Sequence, residues 1–137
     1  MFLLLRSLAY PKEEHLSKSL WSSTRADEFL KHLYDIREAT AAIFRFIHGK
    51  TFEDYEQDEL LRSGIERKFE IMGEALNRIR RDDPALLDKI REHRNIVSFR
   101  NILAHGYDSL DSRIVWGIIE EDLGKLLEDV ERLLEGG

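Results

Sequence analysis

This sequence predicts an all-α protein, an antiparallel bundle of four to five helices, on three observations. Apolar residues recur at steps of three and four along four long segments. Only 2 Pro and 8 Gly occur in 137 residues, too few turn formers for a many-stranded β sandwich or barrel. No alternating apolar–polar stretch of useful strand length is found. The length fits one domain, and 42% hydrophobic residues supply its core.

Residues 1–23 hold Pro11, five serines and no sustained period, and read as an N-terminal extension to a helical domain over 24–137. The first domain helix is expected to begin near Thr24, as N-cap with Asp27 at N3, and to stop at Gly49. Its stripe is Phe29, Leu33, Ile36, Ala39, Ile43 and Ile47. Thr51 to Asp54 starts a short turn or connecting helix. A second helix runs from about Asp58 to Arg81, with Leu61, Ile65, Phe69, Met72, Leu76 and Ile79 on one face. Asp82-Asp83-Pro84 ends it. A third region, about Ala85 to Ala104, carries Leu86, Ile90, Ile96, Val97, Phe99, Ile102 and Leu103, and the polar stretch Glu92–Asn95 can split it in two. Gly106 terminates it. Asp111 or Ser112 caps the last helix, Arg113 to Leu134, whose stripe is Ile114, Val115, Ile118, Leu123, Leu126, Val130 and Leu133.

Composition narrows the function classes. With no Cys, disulfide scaffolds, thiolate metal sites and cysteine nucleophiles are excluded. His15, His32, His48 and His93 show no metal-ligand spacing, so neither metal nor cofactor is assigned. The opening MFLLLRSLAY lacks the basic start and cleavage site of a signal peptide, and no stretch approaches the ~20 apolar residues of a membrane span. The expectation is a soluble, cytoplasmic protein with no membrane partner. The net charge of -6 argues against loose nucleic-acid binding over the whole surface. Residues 78–106, however, carry seven basic side chains (Arg78, Arg80, Arg81, Lys89, Arg91, Arg94 and Arg100) against four acidic ones, a local charge of +3 on an acidic body. Such a strip suits a focused RNA site, or else an ordinary solvated face paired with nearby acids.

The chemistry concentrates in Arg100-Asn101-Ile102-Leu103-Ala104-His105-Gly106-Tyr107. Arg100 and His105, five residues apart, lie about 140° apart on an ideal helix, so they converge only if the backbone leaves the helix near His105. Gly106 makes that bend inexpensive. Arginine offers a planar, permanently charged fork for phosphate, and histidine moves protons near neutrality. Together they could let an RNA 2′-OH attack its own phosphodiester without a metal, with Arg100 stabilising the transition-state charge. The reaction also wants an acid, and a two-fold dimer would bring a second His105 into one cleft. Glu74 on the second helix could orient Arg100, and Asp35 on the first is a weaker candidate of the same kind. Taken by spacing alone, Arg100, Asn101, His105 and Tyr107 read first as capping and solvent-facing groups at a helix end, and Glu74 and Asp35 as solvated helix residues.

RNILAHGY, its downstream IVWGIIEEDLGKLLEDVERLL, the preceding IERKFEIMGEALNRI and the opening EFLKHLYDIREATAAIFRFIHGKTFEDY together resemble the HepT-like branch of the HEPN superfamily over roughly residues 25–135. The resemblance implies a HEPN-like helical bundle forming a homodimer, with an R-x4-H motif in the interface cleft. It implies a metal-independent ribonuclease acting on RNA as the toxin of a toxin–antitoxin pair. The cognate antitoxin would be an MntA-type nucleotidyltransferase that silences the toxin by AMPylation, moving AMP from ATP onto the motif's tyrosine. On this chain the catalytic pair would be Arg100 and His105, the polar residue after the arginine Asn101, and the modified residue Tyr107. The polar run DKIREHRN departs from the branch's usual spacing. Two other readings use the same residues. One is a non-catalytic helical subunit that binds a nucleotide or a nucleotidyltransferase, and the other is a plain helical scaffold.

Overall fold

The structure, a computed structural model, describes the backbone of residues 18–104 and 111–136, and side-chain surroundings from residue 26 onward except at 99 and 102–104. The described residues form seven helices and no strand, so the chain is all-α as expected. The helices are α1 (Lys18–Ile47), α2 (Phe52–Gln57), α3 (Glu59–Asp82), α4 (Pro84–Leu87), α5 (His93–Ala104), α6 (Ser112–Glu121) and α7 (Leu123–Leu134). The chain divides into two compact units, residues 1–31 and 32–137. In the first, the described backbone is helical from Lys18 onward, and Leu30 is exposed. The second contains the core described below. Among the described residues no helix is long and apolar enough to cross a membrane.

Helix α1 begins before Thr24, which therefore lies inside the helix and is not its N-cap. Neither Pro nor Gly falls between Pro11 and Gly49, so the backbone meets no obstacle at Thr24. At the other end Gly49 adopts φ +74, the left-handed conformation that terminates a helix cheaply only at glycine. Thr51 and Asp54 then form a full capping box: Asp54 N donates to Thr51 Oγ1 at 3.1 Å, and Thr51 N donates to Asp54 Oδ2 at 2.9 Å. The bond from the Thr51 backbone holds the Asp54 carboxyl below its ordinary range. Asp58 caps α3 through Leu61 N, and Asp83 both ends α3 and caps α4 ahead of Pro84.

The core is built by Leu33, Ile36, Ala39 and Ile43 of α1 and by Ile65, Phe69, Met72, Leu76 and Ile79 of α3. Ile90 and Ile96 join from the α5 side, and Leu123, Leu126 and Val130 from α7. Thr40, buried among them, donates to Ile36 O at 2.8 Å and lies 3.7 Å from Met72 Sδ, so its hydroxyl is satisfied inside the core. Tyr55 of α2 is fully buried against Trp116 of α6, ring centroids 5.5 Å apart, and burial pushes its phenol upward in pKa. Phe29, Ile47, Leu61, Leu86, Ile118 and Leu133 are half-buried at the margin of the expected stripes. The expected Phe99, Ile102 and Leu103 lie outside the described side chains.

The C-terminal segment departs from the single helix expected over 113–134. It is α6 and α7 meeting at Asp122. The hydrogen-bond ladder persists through the junction, with Asp122 N donating to Ile118 O at 2.9 Å and Leu126 N to Asp122 O at 3.1 Å. The interruption sits at a weak helix former with φ -105, whose carboxylate accepts Asn95 Nδ2 at 3.1 Å. Asp111, rather than Ser112, caps α6 by accepting from Arg113 N. The buried face is Val115, Ile119, Leu123, Leu126 and Val130, which leaves the expected Ile114 58% exposed.

The third region does split, at residues 88–92, just before the stretch expected. One carboxylate organises that break. Asp129 of α7 is 3% exposed and takes the Arg91 backbone N–H at 2.9 Å, Arg91 Nε at 2.9 Å, Arg91 Nη2 at 3.0 Å and Arg132 Nη1 at 2.8 Å. Glu128 takes a further bond from Arg91 Nη2. The next residue, Glu92, is held at φ 66, uncommon for a non-glycine residue. These ties set where α5 starts.

Asp129→Ala removes the four bonds that Asp129 accepts, leaving Arg91 only Glu128, and should cost about 2–3 kcal/mol in urea unfolding. The Arg91 hydrogen bonds hold the Asp129 carboxyl well below its ordinary pKa. Its contribution is therefore fully present above the unfolded value of about 3.9 and declines as pH falls from there toward the lower folded value. Unfolding measured across that acid range should show wild type losing its advantage over Asp129→Asn.

Candidate functional site

Helices α3 and α5 pack extensively against each other, and at Gly73 the two come close together. A Cβ placed on Gly73 would stand 2.4 Å from Arg100 Cβ and 2.5 Å from Arg100 Cγ. A glycine inside a helix costs about 1 kcal/mol relative to alanine, so this position needs a physical reason, and the Arg100 stem lying on bare backbone supplies one. From that anchorage the guanidinium turns onto α3. Arg100 Nη2 donates to Glu74 Oε1 at 2.9 Å, and Nη1 reaches Asn101 Oδ1 at 3.4 Å. The other oxygen of Glu74 accepts Arg78 Nε at 3.3 Å. The side chains of Arg100, Glu74 and Arg78 are 30%, 43% and 50% exposed, so the group is held in place yet open to solvent.

The structure thus brings together Arg100, Asn101 and Glu74 of the residues singled out by sequence. His105 and Tyr107 lie outside the described residues. Asp35 is half-buried on α1. The arrangement at Arg100 offers a fixed guanidinium, neutralised on one side by Glu74 in a side chain 30% exposed, a geometry suited to an anionic oxygen.

The basic strip of residues 78–106 resolves into distinct roles. Arg91 is consumed by Asp129 and Glu128 and belongs to the framework. Arg78 and Arg100 share Glu74. Arg80, Arg81, Lys89 and Arg94 are exposed with no ion pair among the described residues. Burial pushes the His93 imidazole below its ordinary pKa, with Arg94 and Arg80 acting in the same direction and Asp88 against them. Elsewhere, an open concavity of ≈ 710 Å³ at the α2–α3 junction is lined by Lys50, Asp54, Gln57, Asp58, Glu59, Leu60 and Ser63. Asp54 and Asp58 there are occupied as helix caps, and the lining includes none of the residues around Arg100.

Sequence reasoning passed over Gly73 and the link between Arg78 and Arg100. A signal for the first existed: a glycine between good helix formers at the centre of a strongly patterned helix implies a close neighbour. Gly73→Ala should therefore lower the midpoint of thermal unfolding, costing about 1–3 kcal/mol by overpacking against Arg100. Gly117→Ala is the matched control. A Cβ there meets nothing within 4 Å, so this variant should be stabilised, by up to about 1 kcal/mol.

The family described as "Ribonuclease HepT-like" matches residues 36–133, a span that contains Gly73, Glu74, Arg78, Arg100 and Asn101. A protein of Thermococcus cleftensis named "Probable ribonuclease HepT" is 33% identical over 102 residues, covering 74% of this chain and 92% of that one. One of Methanocaldococcus jannaschii named "Putative RNase MJ1380" is 30% identical over 99 residues, covering 72% of this chain and 90% of that one. No solved structure matches the chain significantly. With the family spanning most of the helical bundle and the candidate site within it, this chain belongs to the HepT-like ribonuclease family.

Proposed function

We propose that this protein is a cytoplasmic, metal-independent ribonuclease in which Arg100 holds the scissile phosphate of RNA and His105 moves the proton. The observation that carries the reading is the Arg100 guanidinium itself, fixed by Glu74 at 2.9 Å yet 30% exposed, in a chain of a ribonuclease family. In the reaction His105 takes the proton of the ribose 2′-OH, and the 2′ oxygen forms a bond to phosphorus. The bond from phosphorus to the 5′ oxygen breaks, and that oxygen leaves with a proton. The products are a 2′,3′-cyclic phosphate and a 5′-hydroxyl. Arg100 stabilises the extra negative charge that builds on the non-bridging oxygens, and Glu74 keeps the guanidinium aimed. A homodimer supplies a second His105 as the acid.

The biological role follows the family resemblance: the toxin of a toxin–antitoxin pair, neutralised by a cognate MntA-type nucleotidyltransferase. That partner would attach AMP from ATP to the Tyr107 hydroxyl with release of pyrophosphate. The added phosphodiester lies two residues from His105 in sequence. It would place a competing negative charge in reach of Arg100 and fill the cleft.

Purified protein incubated with RNA in EDTA should yield fragments ending in 2′,3′-cyclic phosphate, and His105→Ala or Arg100→Ala should slow cleavage by roughly 10²–10⁴-fold. Intact RNA with wild type, or equal cleavage by His105→Ala, overturns the proposal. Incubation with ATP and the cognate nucleotidyltransferase should add AMP mass to wild type and abolish cleavage. Tyr107→Phe should stay unmodified and active in the presence of the same partner.

A further inference from the structure

We infer that Arg78 is a second phosphate-binding arginine, and that Arg78 and Arg100 clamp one RNA phosphodiester between them with Glu74 as the spacer. The inference rests on the ribonuclease reading insofar as Arg100 touches the substrate phosphate. Arg78 itself is assigned by geometry.

Arg78 Nε donates to Glu74 Oε2 at 3.3 Å while Arg100 Nη2 donates to Glu74 Oε1 at 2.9 Å. Two guanidiniums from different helices therefore converge on the two oxygens of a single carboxylate. Side by side they repel each other, and the one negative charge between them makes the arrangement tenable. The trio retains a net charge of +1. An isolated Glu74–Arg78 pair at i,i+4 would be an ordinary helix-surface contact. The approach of Arg100 from α5, forced by its seat on Gly73, turns the pair into a cationic edge.

The donor count points outward. A guanidinium carries five N–H donors in a fixed fork. Arg78 commits only Nε to Glu74 and leaves both Nη groups without an acceptor among the described residues. Arg100 commits Nη2 to Glu74 and Nη1 to the long contact with Asn101. Both heads are partly exposed, so the unused donors are reachable from solvent. A phosphodiester has one negative charge and two non-bridging oxygens. It matches the +1 charge of the trio and can accept from both forks at once. Arg91 looks different: it spends both Nε and Nη2 on the buried Asp129 and the neighbouring Glu128.

The test uses full-length protein carrying His105→Ala, so that RNA survives, and a fluorescently labelled single-stranded oligoribonucleotide followed by anisotropy across salt concentrations. Adding Arg78→Ala should weaken binding about 10-fold, the loss of a charge-assisted hydrogen bond. It should also flatten the plot of log affinity against log salt by about 0.7, one phosphate contact on a single strand. Arg78→Lys should restore the salt slope but only part of the affinity, because an ammonium lacks the fork. Arg67→Ala, which removes an exposed α3 arginine paired with Glu70, should leave both unchanged. Thermal unfolding of each variant confirms that the fold is retained. Wild-type affinity and slope in Arg78→Ala, or an equal loss in Arg67→Ala, overturns the clamp. Cleavage assayed in parallel with His105 intact separates the two readings. RNA cleaved normally by Arg78→Ala with unchanged binding removes the clamp and leaves the ribonuclease. RNA bound through Arg78 but never cleaved by wild type removes the ribonuclease and leaves the clamp. No binding at all removes both.

Discussion

The bare backbone at Gly73 is the constraint from which the site follows. With any side chain there, the Arg100 stem would be displaced from α3, since a Cβ would fall 2.4 Å from its own Cβ. Because the position is empty, a long cationic side chain lies across the helix contact instead of extending freely into water. Its rotamer freedom is largely removed before any ligand arrives, which is the part of the binding cost that a flexible surface arginine leaves to the ligand. Glu74, adjacent in sequence to the glycine that admits Arg100, completes the arrangement by fixing the guanidinium end. Stem and head are thus both set by consecutive residues of one helix.

A second polar centre does for the framework what Glu74 does for the site. Asp129 gathers a backbone N–H and two arginine heads at the foot of α5, and is itself almost wholly buried. A buried carboxylate is stable only when its lone pairs are filled, and here they are. The effect is to pin the turn before α5 to α7, so the helix that carries Arg100 starts from a defined point. The contrast between the two carboxylates is one of exposure. Asp129 is 3% exposed and accepts four bonds, three of them from Arg91, whereas Glu74 is 43% exposed and accepts one from each of its two arginines. Identical residue types serve framework and site according to where the acid sits.

Much of the fold was legible because it is written locally. The stripes at Leu33, Ile36 and Ile43 or at Ile65, Phe69, Met72 and Leu76 are periodic in the chain and buried in the structure. Thr51 and Asp54, Asp58, and Asp83-Pro84 act on backbone groups within a turn of themselves. The misses have equally physical causes. The start of α1 depends on the absence of a stop signal before Thr24, which periodicity does not register. The interruption at Asp122 involves an amide on another helix, Asn95. Ile114 was counted into the stripe beside Val115, but α6 buries Val115 and Ile119 and leaves Ile114 exposed.

By itself, then, the sequence determined the helical class, most element boundaries, the family, and the suspicion attached to Arg100 and Glu74. These depend on spacing, capping chemistry and motif, all of which are carried within a few turns of chain or by likeness to relatives. Only the tertiary structure decided which arginines are spent on the framework and which face solvent. It alone decided that Gly73 is a seat, and that Glu74 and Arg100, 26 residues apart, meet across two helices with Arg78 beside them. The reason is that a charge acquires its role from neighbours brought in by packing, and those neighbours are distant in sequence.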